Sequence, residues 1–214
     1  MCADMAVPDA RLCTNEPAPL ILASASPRRR ELLDQIGVSY RVVVHDTDET
    51  RTPSESPEIY VSRLARQKAA SVNARPDIFG LVPVLGADTI VVCDQTVLGK
   101  PADEADAVRM LGLLSGRRHE VMTAVCVMQG QQEKSLTVRT GVWFRELSDR
   151  DMAAYWRSGE PAGKAGAYAI QGLGALFVAR IEGSYSAVVG LPIFETGQLL
   201  ASIGIQNGLG ESCV

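Results

Sequence analysis

The sequence predicts a single α/β domain built around a mixed β-sheet with flanking helices. Short apolar runs that suit buried strands are interspersed along the chain with segments of helical periodicity. The turn signals between some of these runs are those of hairpins, so antiparallel pairs are expected beside parallel ones. A length of 214 residues with 46% hydrophobic side chains is enough for one domain with one sizeable core.

A strand, a turn and a helix come first in this domain. Residues 20–23 are wholly apolar, which indicates a buried strand, and they stop at a Ser/Pro cluster. Ser26 is the expected N-cap of the helix, Pro27 its first residue and Gly37 its C-terminal stop. The buried stripe of this helix is expected to consist of Leu32, Leu33 and Ile36.

The remaining elements keep strands and helices interspersed, without an internal repeat. In chain order they are a strand at 40–44, an acidic loop at 45–49, a helix from Ser56 to about Val72, an apolar strand at 82–92 interrupted by Gly86-Ala87-Asp88, a turn near Asp94, a helix capped by Asp103, strands at 120–127 and 135–144 joined by a hairpin at Gln129-Gly130, a helix from Ser148 to Trp156, a glycine-rich strand region at 163–181 and a final helix after Pro192.

Charge and cysteine content narrow the class of protein. A formal net charge of -4 and a pI near 5.3 argue against a nucleic-acid polymer or a membrane surface as partner, because both reward a basic face. The cysteines are odd in number and lack CxxC spacing, so they fit reduced thiols in a cytoplasmic protein. They are Cys2, Cys13, Cys93, Cys126 and Cys213.

The two ends of the chain are expected to lie outside the domain, which spans residues 20–206. Residues 1–19 have acidic side chains and no continuous apolar core, so they fit neither a secretory signal nor a membrane span. They are expected to form a disordered extension, and residues 207–214 a flexible tail.

The first turn has the composition of a phosphate-binding site. It places the hydroxyls of Ser24 and Ser26 beside Arg28 and Arg29, at the positive end of a helix. Guanidinium groups bind phosphate oxygens in pairs, which adds specificity to the charge. An ordinary helix start with solvated arginines explains the same residues equally well, so both interpretations stay open at this point.

Asp88 is the candidate for catalysis because it lies between two apolar runs, near Gly86, where a strand breaks or ends. Its carboxylate could orient or deprotonate a water molecule, or hold a divalent cation against phosphate oxygens. The alternative is a turn aspartate that bonds to its own backbone. The apolar flanks favour the functional interpretation slightly.

Further segments carry side chains that suit a nucleotide. Lys100, in a Gly-Lys-Pro segment, and Lys68, inside the second helix, could neutralise phosphate, although most lysines are solvated surface residues. The acidic loop 45–49 offers oxygen ligands for magnesium, although solvated charge is the commoner explanation. Gln171 lies in a glycine-rich segment where its amide could read a base edge, although a tight turn explains that segment as well.

Neither a serine hydrolase nor a zinc enzyme finds support in the sequence. It contains no Walker loop, no GxSxG motif and no HExxH motif, and its only histidines are His45 and His119. The interpretations as a serine hydrolase or a zinc enzyme are therefore set aside.

Five motifs in series resemble those of the Maf family of nucleoside triphosphate pyrophosphatases, in the family's order and at similar spacing. They are Ser24-Ala25-Ser26-Pro27-Arg28-Arg29, Gly86-Ala87-Asp88-Thr89, Gly99-Lys100-Pro101, Ala169-Ile170-Gln171-Gly172 and Val189-Gly190-Leu191-Pro192. The resemblance implies a twisted mixed sheet with flanking helices, as in Maf and ITPase-like folds. It also implies hydrolysis of a nucleoside triphosphate to the monophosphate and pyrophosphate, with Mg²⁺ or Mn²⁺ and often as a homodimer.

The resemblance also implies roles for particular residues. Asp88 matches the proton acceptor and Glu49 a further acidic residue, and these two are the expected metal ligands. The residues expected to bind the substrate are Ser24, Ser26, Arg28, Arg29, Lys68 and Lys100.

The resemblance further implies that Arg28, Thr89 and Gln171 set the base preference. These residues match the branch of the family that acts on dTTP and UTP, and modified pyrimidine nucleotides are further candidate substrates. The branch acting on 7-methyl-GTP typically has tryptophan, glutamine and glutamate there. An amide can pair with the edge of uracil or thymine, whereas a carboxylate suits a cationic methylated guanine. Two alternatives remain: 7-methyl-GTP specificity on the same scaffold, and a nucleotide-binding regulator of cell division or septum formation with little turnover.

Overall fold

The structure, a computed structural model, describes residues 20–52, 54–75 and 80–210. The extension expected at residues 1–19 lies outside these ranges, and so does the end of the expected tail, residues 211–214. Within the described part of that tail, the N–H of Gly208 donates to the Ile36 carbonyl at 2.8 Å. This bond fastens the C-terminal segment to the end of the first helix.

The strands of the described residues form one mixed sheet. They are β1 (Ile21–Leu22), β2 (Arg41–Val42), β3 (Val84–Cys93), β4 (Thr96–Leu98), β5 (Arg118–Gln129), β6 (Gln132–Phe144) and β7 (Val178–Glu182). Their order in the sheet is β2-β1-β3-β5-β6-β7, with β4 beside β3. β1 pairs in parallel with β2 and β3, whereas the other pairings are antiparallel. The mixed sheet predicted from the sequence is therefore confirmed.

The α-helices of the described residues flank this sheet. They are α1 (Pro27–Gln35), α2 (Pro57–Asn73), α3 (Glu104–Leu114), α4 (Asp149–Arg157), α5 (Tyr185–Val189) and α6 (Ile193–Ala201). The helix starts expected at Ser56, Asp103 and Ser148 are confirmed, and each of these side chains caps its helix by accepting a backbone N–H of the first turn. A cap of this kind contributes about 1 kcal/mol to helix stability. In this described part, no helix has both the length and the apolar character needed to cross a membrane.

Two apolar clusters lie on opposite faces of the sheet. On one face, Val61 and Ala65 of α2 pack against Ile90 and Val92 of β3. The other face carries the larger core, to which α1, α3, α4 and α6 contribute. Because successive strand residues point to opposite faces, neighbouring residues of β3 belong to different layers.

One prediction about β3 was wrong, because this strand is not interrupted at Gly86-Ala87-Asp88. What changes along this segment is the strand that pairs with one edge of β3. β1 pairs with β3 as far as Leu85, and β4 pairs with it from Val91 onward. Between these positions, that edge of β3 has no strand partner among the described residues. The polar segment therefore marks a gap beside the strand.

The strand expected across residues 163–181 was also wrong for most of its length. Only Val178–Glu182 forms a strand, and two 3₁₀ turns precede it at Ala165–Ala167 and Leu173–Phe177. Local bonds such as that from the N–H of Gly172 to the Ala169 carbonyl, at 3.2 Å, close these turns. They use backbone groups that a strand would need for its ladder.

Candidate active site

A cleft of about 1130 Å³ opens at the gap beside β3. Its size and concave shape suit a small-molecule ligand. All the residues that the sequence marked as site candidates line this cleft: Ser24, Ser26, Arg28, Arg29, Glu49, Lys68, Asp88, Thr89, Lys100 and Gln171. The structure therefore brings together six segments that are far apart along the chain.

Arg29 is buried and connects its own turn to Thr89 of β3 and to Gly190, which follows α5. Its Nε donates to the Gly190 carbonyl at 2.9 Å, one Nη to Ser24 Oγ at 3.0 Å and the other Nη to Thr89 Oγ1 at 3.3 Å. Burial lowers the pKa of Arg29, and the negative charge of Asp88 opposes that effect. Arg29 thus holds the first turn against β3 and the end of α5.

The first turn of α1 lacks the cap that its sequence predicted. Ser26 stands at the N-cap position, but its hydroxyl accepts no hydrogen bond from the helix. Its N–H instead donates to Ser24 Oγ at 3.3 Å. Within the described residues, the Ser26 hydroxyl does not cap the helix, so it and the leading N–H groups of the helix can bind an anion from the cleft.

Asp88, Lys68 and Glu49 form a charged cluster at the gap. Lys68 Nζ donates to Asp88 Oδ1 at 2.5 Å and pairs with Glu49 Oε1 at 2.7 Å. The side chains of Lys68 and Asp88 are only 16% and 11% exposed. A second lysine, Lys100, places its Nζ 4.0 Å from the other oxygen of Glu49. Lys68 therefore bridges the two carboxylates, and Lys100 lies beside Glu49.

The pKa of Glu49 is held below its ordinary value despite an opposing effect of burial. Burial acts to raise this pKa, and the hydrogen bond and charge of Lys68 more than offset it, with help from Lys100 and Arg29. The hydroxyl of Tyr60 donates to the Glu49 carbonyl at 2.8 Å, which fixes the loop that carries the carboxylate. Glu49 is therefore ionised and directed at the cluster.

Close packing of α2 on β3 brings Lys68 to Asp88. A Cβ added at Gly86 would lie 2.3 Å from the Ala65 carbonyl oxygen and 2.6 Å from the Ala69 N. Only glycine permits this approach. Asp88 lies two residues further along the same face of β3, so its carboxylate is presented to the helix that carries Lys68.

Arg28 and Gln171 lie in the cleft near a different group of charges. Burial lowers the pKa of Arg28, and Glu31, Tyr155 and Glu160 oppose that effect, whereas the acidic neighbours of Arg29 are Asp88 and Glu49. The two adjacent arginines therefore serve different parts of the cleft. Gln171 is exposed, and its amide has no hydrogen-bond partner within the described ranges.

Comparison with known families identifies the domain. Residues 19–203 match the model of the family described as Maf-like protein. The chain belongs to the Maf family. This confirms the resemblance that the five motifs indicated.

Several relatives of this Maf protein carry one name. It is 55% identical over 181 residues to the dTTP/UTP pyrophosphatase of Photobacterium profundum, covering 83% of this chain and 92% of that protein. Its identity to the dTTP/UTP pyrophosphatase of Pseudoalteromonas atlantica is 54% over 189 residues, covering 88% and 98%. The protein of the same name from Vibrio cholerae is 56% identical over 181 residues, covering 85% and 96%.

Among solved structures, the Maf protein is similar to the Ham1 protein of Staphylococcus aureus. The TM-score is 0.39 at 14% sequence identity, covering 58% of this chain and 71% of that chain. This likeness is too weak to carry an argument.

The sequence did not mark Tyr155, Glu160 and Lys164 of this Maf protein. Glu160 and Lys164 line the cleft, and the Tyr155 hydroxyl donates to Glu160 Oε1 at 2.6 Å. Burial lowers the pKa of Lys164, and the charge of Arg28 lowers it further. Glu160 follows a glycine and precedes a proline, a pattern too common in loops to single it out.

Proposed function

We propose that this Maf protein is a pyrophosphatase that hydrolyses dTTP and UTP to the nucleoside monophosphate and pyrophosphate. The main support is that one cleft combines three features: the cationic first turn, the cluster of Asp88, Lys68 and Glu49, and the exposed amide of Gln171. High identity to relatives named for this activity supports the same conclusion.

The triphosphate binds between the first turn and the two lysines. The hydroxyls of Ser24 and Ser26 and the N-terminus of α1 donate to phosphate oxygens, while Lys68 and Lys100 neutralise their charge. Each nitrogen of Arg29 already makes one bond within the fold, which leaves one N–H on each Nη for the phosphates. Arg29 therefore sets the shape of the turn and contributes charge.

Asp88 acts on the attacking water. Water adds its oxygen to one phosphorus of the α–β anhydride, the bond from that phosphorus to the bridging oxygen breaks, and the monophosphate and pyrophosphate separate. The carboxylate of Asp88 orients this water and accepts its proton, since it lies in the cleft beside the phosphate-binding residues. Such reactions depend mainly on positioning and on cations around the phosphates, both of which this cluster supplies.

Asp88 and Glu49 are also a fitting pair of ligands for Mg²⁺ or Mn²⁺. Their oxygens converge on Lys68 Nζ at 2.5 and 2.7 Å, so a small cation could contact both carboxylates. The described residues hold no group of three or more His, Cys, Asp or Glu placed for a metal. Magnesium commonly takes one or two carboxylates and completes its shell with phosphate and water, which matches this pair. When bound, the cation would neutralise charge that develops on the phosphates.

Base selection depends on Gln171, Arg28 and Thr89. The free amide of Gln171 can donate to one group of a pyrimidine edge and accept from another. Thr89 Oγ1 lies within hydrogen-bond distance of Arg29 and of Thr123, so a longer side chain at Thr89 would displace the buried guanidinium. Thr89 therefore acts by shaping the site.

The test is a pyrophosphate-release assay of the purified full chain with dTTP, UTP, CTP, GTP and 7-methyl-GTP, each with Mg²⁺ and with Mn²⁺. We expect the highest kcat/KM for dTTP and UTP. A preference for 7-methyl-GTP would overturn the substrate assignment. Calorimetric binding measured on the same preparation identifies a pure regulator, which would bind a nucleotide without releasing pyrophosphate.

We also propose that residues 20–206 form the catalytic domain, that the protein is a homodimer and that it works in the cytoplasm. The family resemblance supports the dimer, and light scattering after gel filtration tests it. The buried free thiols of Cys93 and Cys126 suit a reducing compartment, which cell fractionation tests. Activity of a chain limited to residues 20–206 tests the domain bounds.

A further inference from the structure

Tyr155 and Glu160 form a hydrogen-bonded pair beside the loop that carries Gln171. The Tyr155 hydroxyl donates to Glu160 Oε1 at 2.6 Å and accepts the N–H of Ala169 at 3.0 Å. Glu160 Oε1 also accepts the N–H of Gly174 at 3.0 Å, and its Oε2 accepts the N–H of Leu173 at 2.9 Å. The pair therefore binds the loop on both sides of Gln171.

The loop is built closely around these two side chains. A Cβ added at Gly172 would lie 2.1 Å from Glu160 Oε2. The carboxylate cannot move aside without losing its bonds to Tyr155, Leu173 and Gly174. Burial acts to raise the pKa of Glu160, but these hydrogen bonds hold it below its ordinary value. Glu160 is thus an ionised acceptor committed to the loop.

Gln171 lies in a turn that this pair fastens. The N–H of Gly172 donates to the Ala169 carbonyl at 3.2 Å, so Ile170 and Gln171 occupy the two central positions of the turn. The Gln171 side chain itself is exposed in the cleft, and the turn alone sets its direction. An amide reads a base edge only if its donor and acceptor are held in place.

We propose that Glu160, together with Tyr155, is a positioning device that sets base selectivity by fixing the turn that presents Gln171. This inference rests on the proposed function, because it assumes that Gln171 faces the base. Glu160 is bound to Tyr155 and to the loop, and it is not among the residues proposed to bind the phosphates. Its loss therefore affects discrimination between bases more than the chemical step.

The test compares Glu160→Gln and Tyr155→Phe with matched controls. Glutamine has one oxygen and one NH₂ group, so at least one loop N–H loses its acceptor. Phenylalanine fills the buried space of Tyr155 but removes the hydroxyl that joins Glu160 to Ala169. The controls Glu182→Gln and Tyr185→Phe make the same chemical changes at exposed positions outside the cleft.

For E160Q and Y155F, we expect KM for dTTP and UTP to rise about tenfold, as the loss of a charge-assisted hydrogen bond allows. Their preference for these nucleotides over CTP should fall by a similar factor, whereas kcat should stay within about threefold because Asp88 and Lys68 are untouched. Both controls should match the wild type in KM, kcat and preference. Thermal melting of each variant verifies that it folds.

Coupling to Gln171 decides whether the pair acts through the turn. Adding E160Q or Y155F to Gln171→Ala should cause no further loss of preference, since the group that they position is gone. Additive losses would overturn the proposal, and so would unchanged preference in the single variants or an equal fall in kcat for every nucleotide. The kcat/KM values of the wild-type protein with the same nucleotides test the proposed function separately. If its best substrate were another nucleotide, the ratio between bases would still test the positioning role.

Discussion

Replacing Asp88 with asparagine removes the carboxylate proposed as proton acceptor while keeping the size of the side chain. Loss of a general base commonly costs a factor of about 10² to 10⁴ in rate, so we expect kcat for dTTP to fall within that range. The fold should survive. Lys68 keeps its partner Glu49 at 2.7 Å, and the asparagine oxygen can still accept from Lys68 Nζ.

The stability cost of D88N follows from exchanging a charged acceptor for a neutral one. A hydrogen bond to a charged group contributes about 2 kcal/mol and a neutral one about 1, so the expected loss is about 1 kcal/mol. For a domain of this size, that corresponds to a fall in Tm of about 2–4 °C. A much larger fall would show that Asp88 is needed for the fold, and activity data would then not report on chemistry.

The assay is pyrophosphate release at saturating dTTP over a series of Mg²⁺ and Mn²⁺ concentrations, beside thermal melting. The matched control is Asp94→Asn, which removes an exposed carboxylate that pairs with Arg117 at the end of the same strand, outside the cleft. D94N should keep the wild-type rate. If D88N kept kcat within threefold of the wild type at every metal concentration, Asp88 would have no catalytic role. A residual rate that recovers with added metal would identify Asp88 as a ligand, whereas a residual rate insensitive to metal would identify it as the base.

Gly86→Ala should lower the free energy of unfolding by about 2–3 kcal/mol, because the added Cβ would lie 2.3 Å from the Ala65 carbonyl oxygen. Urea unfolding measures this free energy, and an unchanged value would refute the close packing of α2 on β3. Gln171→Glu should shift the kcat/KM ratio from UTP toward 7-methyl-GTP, and an unaltered ratio in a substrate panel would remove the main support for amide recognition. Glu49→Gln tests the pH dependence of stability. Since the folded-state pKa of Glu49 lies below the ordinary 4.5, its ionised form contributes stability that is present above that pH and is lost as pH falls through the lowered pKa. Urea unfolding should therefore find E49Q less stable than the wild type at neutral pH and equal to it in acid, whereas a gap that persists in acid would contradict the ion pair with Lys68.

The segments that the sequence predicted well are those with local causes. The caps at Ser56, Asp103 and Ser148 and the apolar runs of β1 and β5 depend on residues within a few positions of one another. Most candidate site residues belong to short motifs, whereas Glu49 and Lys68 were assigned through the family resemblance, and all of them line the cleft. The spacing of those motifs along the chain was enough to indicate the family, which the family model confirms over residues 19–203.

The errors occurred where pairing between distant segments decides the outcome. The polar residues at Gly86-Ala87-Asp88 were interpreted as a break in their own strand, yet β5 pairs with β3 along this whole segment. Nothing local to the segment shows that β1 ends opposite Leu85 and that β4 begins opposite Val91. The glycine-rich segment before β7 was likewise wrongly assigned to a strand. Its turns depend partly on hydrogen bonds to Glu160 and Tyr155, which the segment's own residues do not reveal.

The sequence by itself determined the family, the fold class and most of the charged and polar residues that are proposed to act in the cleft, because these depend on residue identity and short-range order. Only the tertiary structure decided how they act together. It shows that Arg29 is buried and bonded within the site while Arg28 lies near Glu31, Tyr155 and Glu160. It also shows that Lys68 reaches Asp88 because α2 packs directly on Gly86. These contacts join residues from about 20 to about 160 positions apart, and their geometry is fixed by strand register and helix packing.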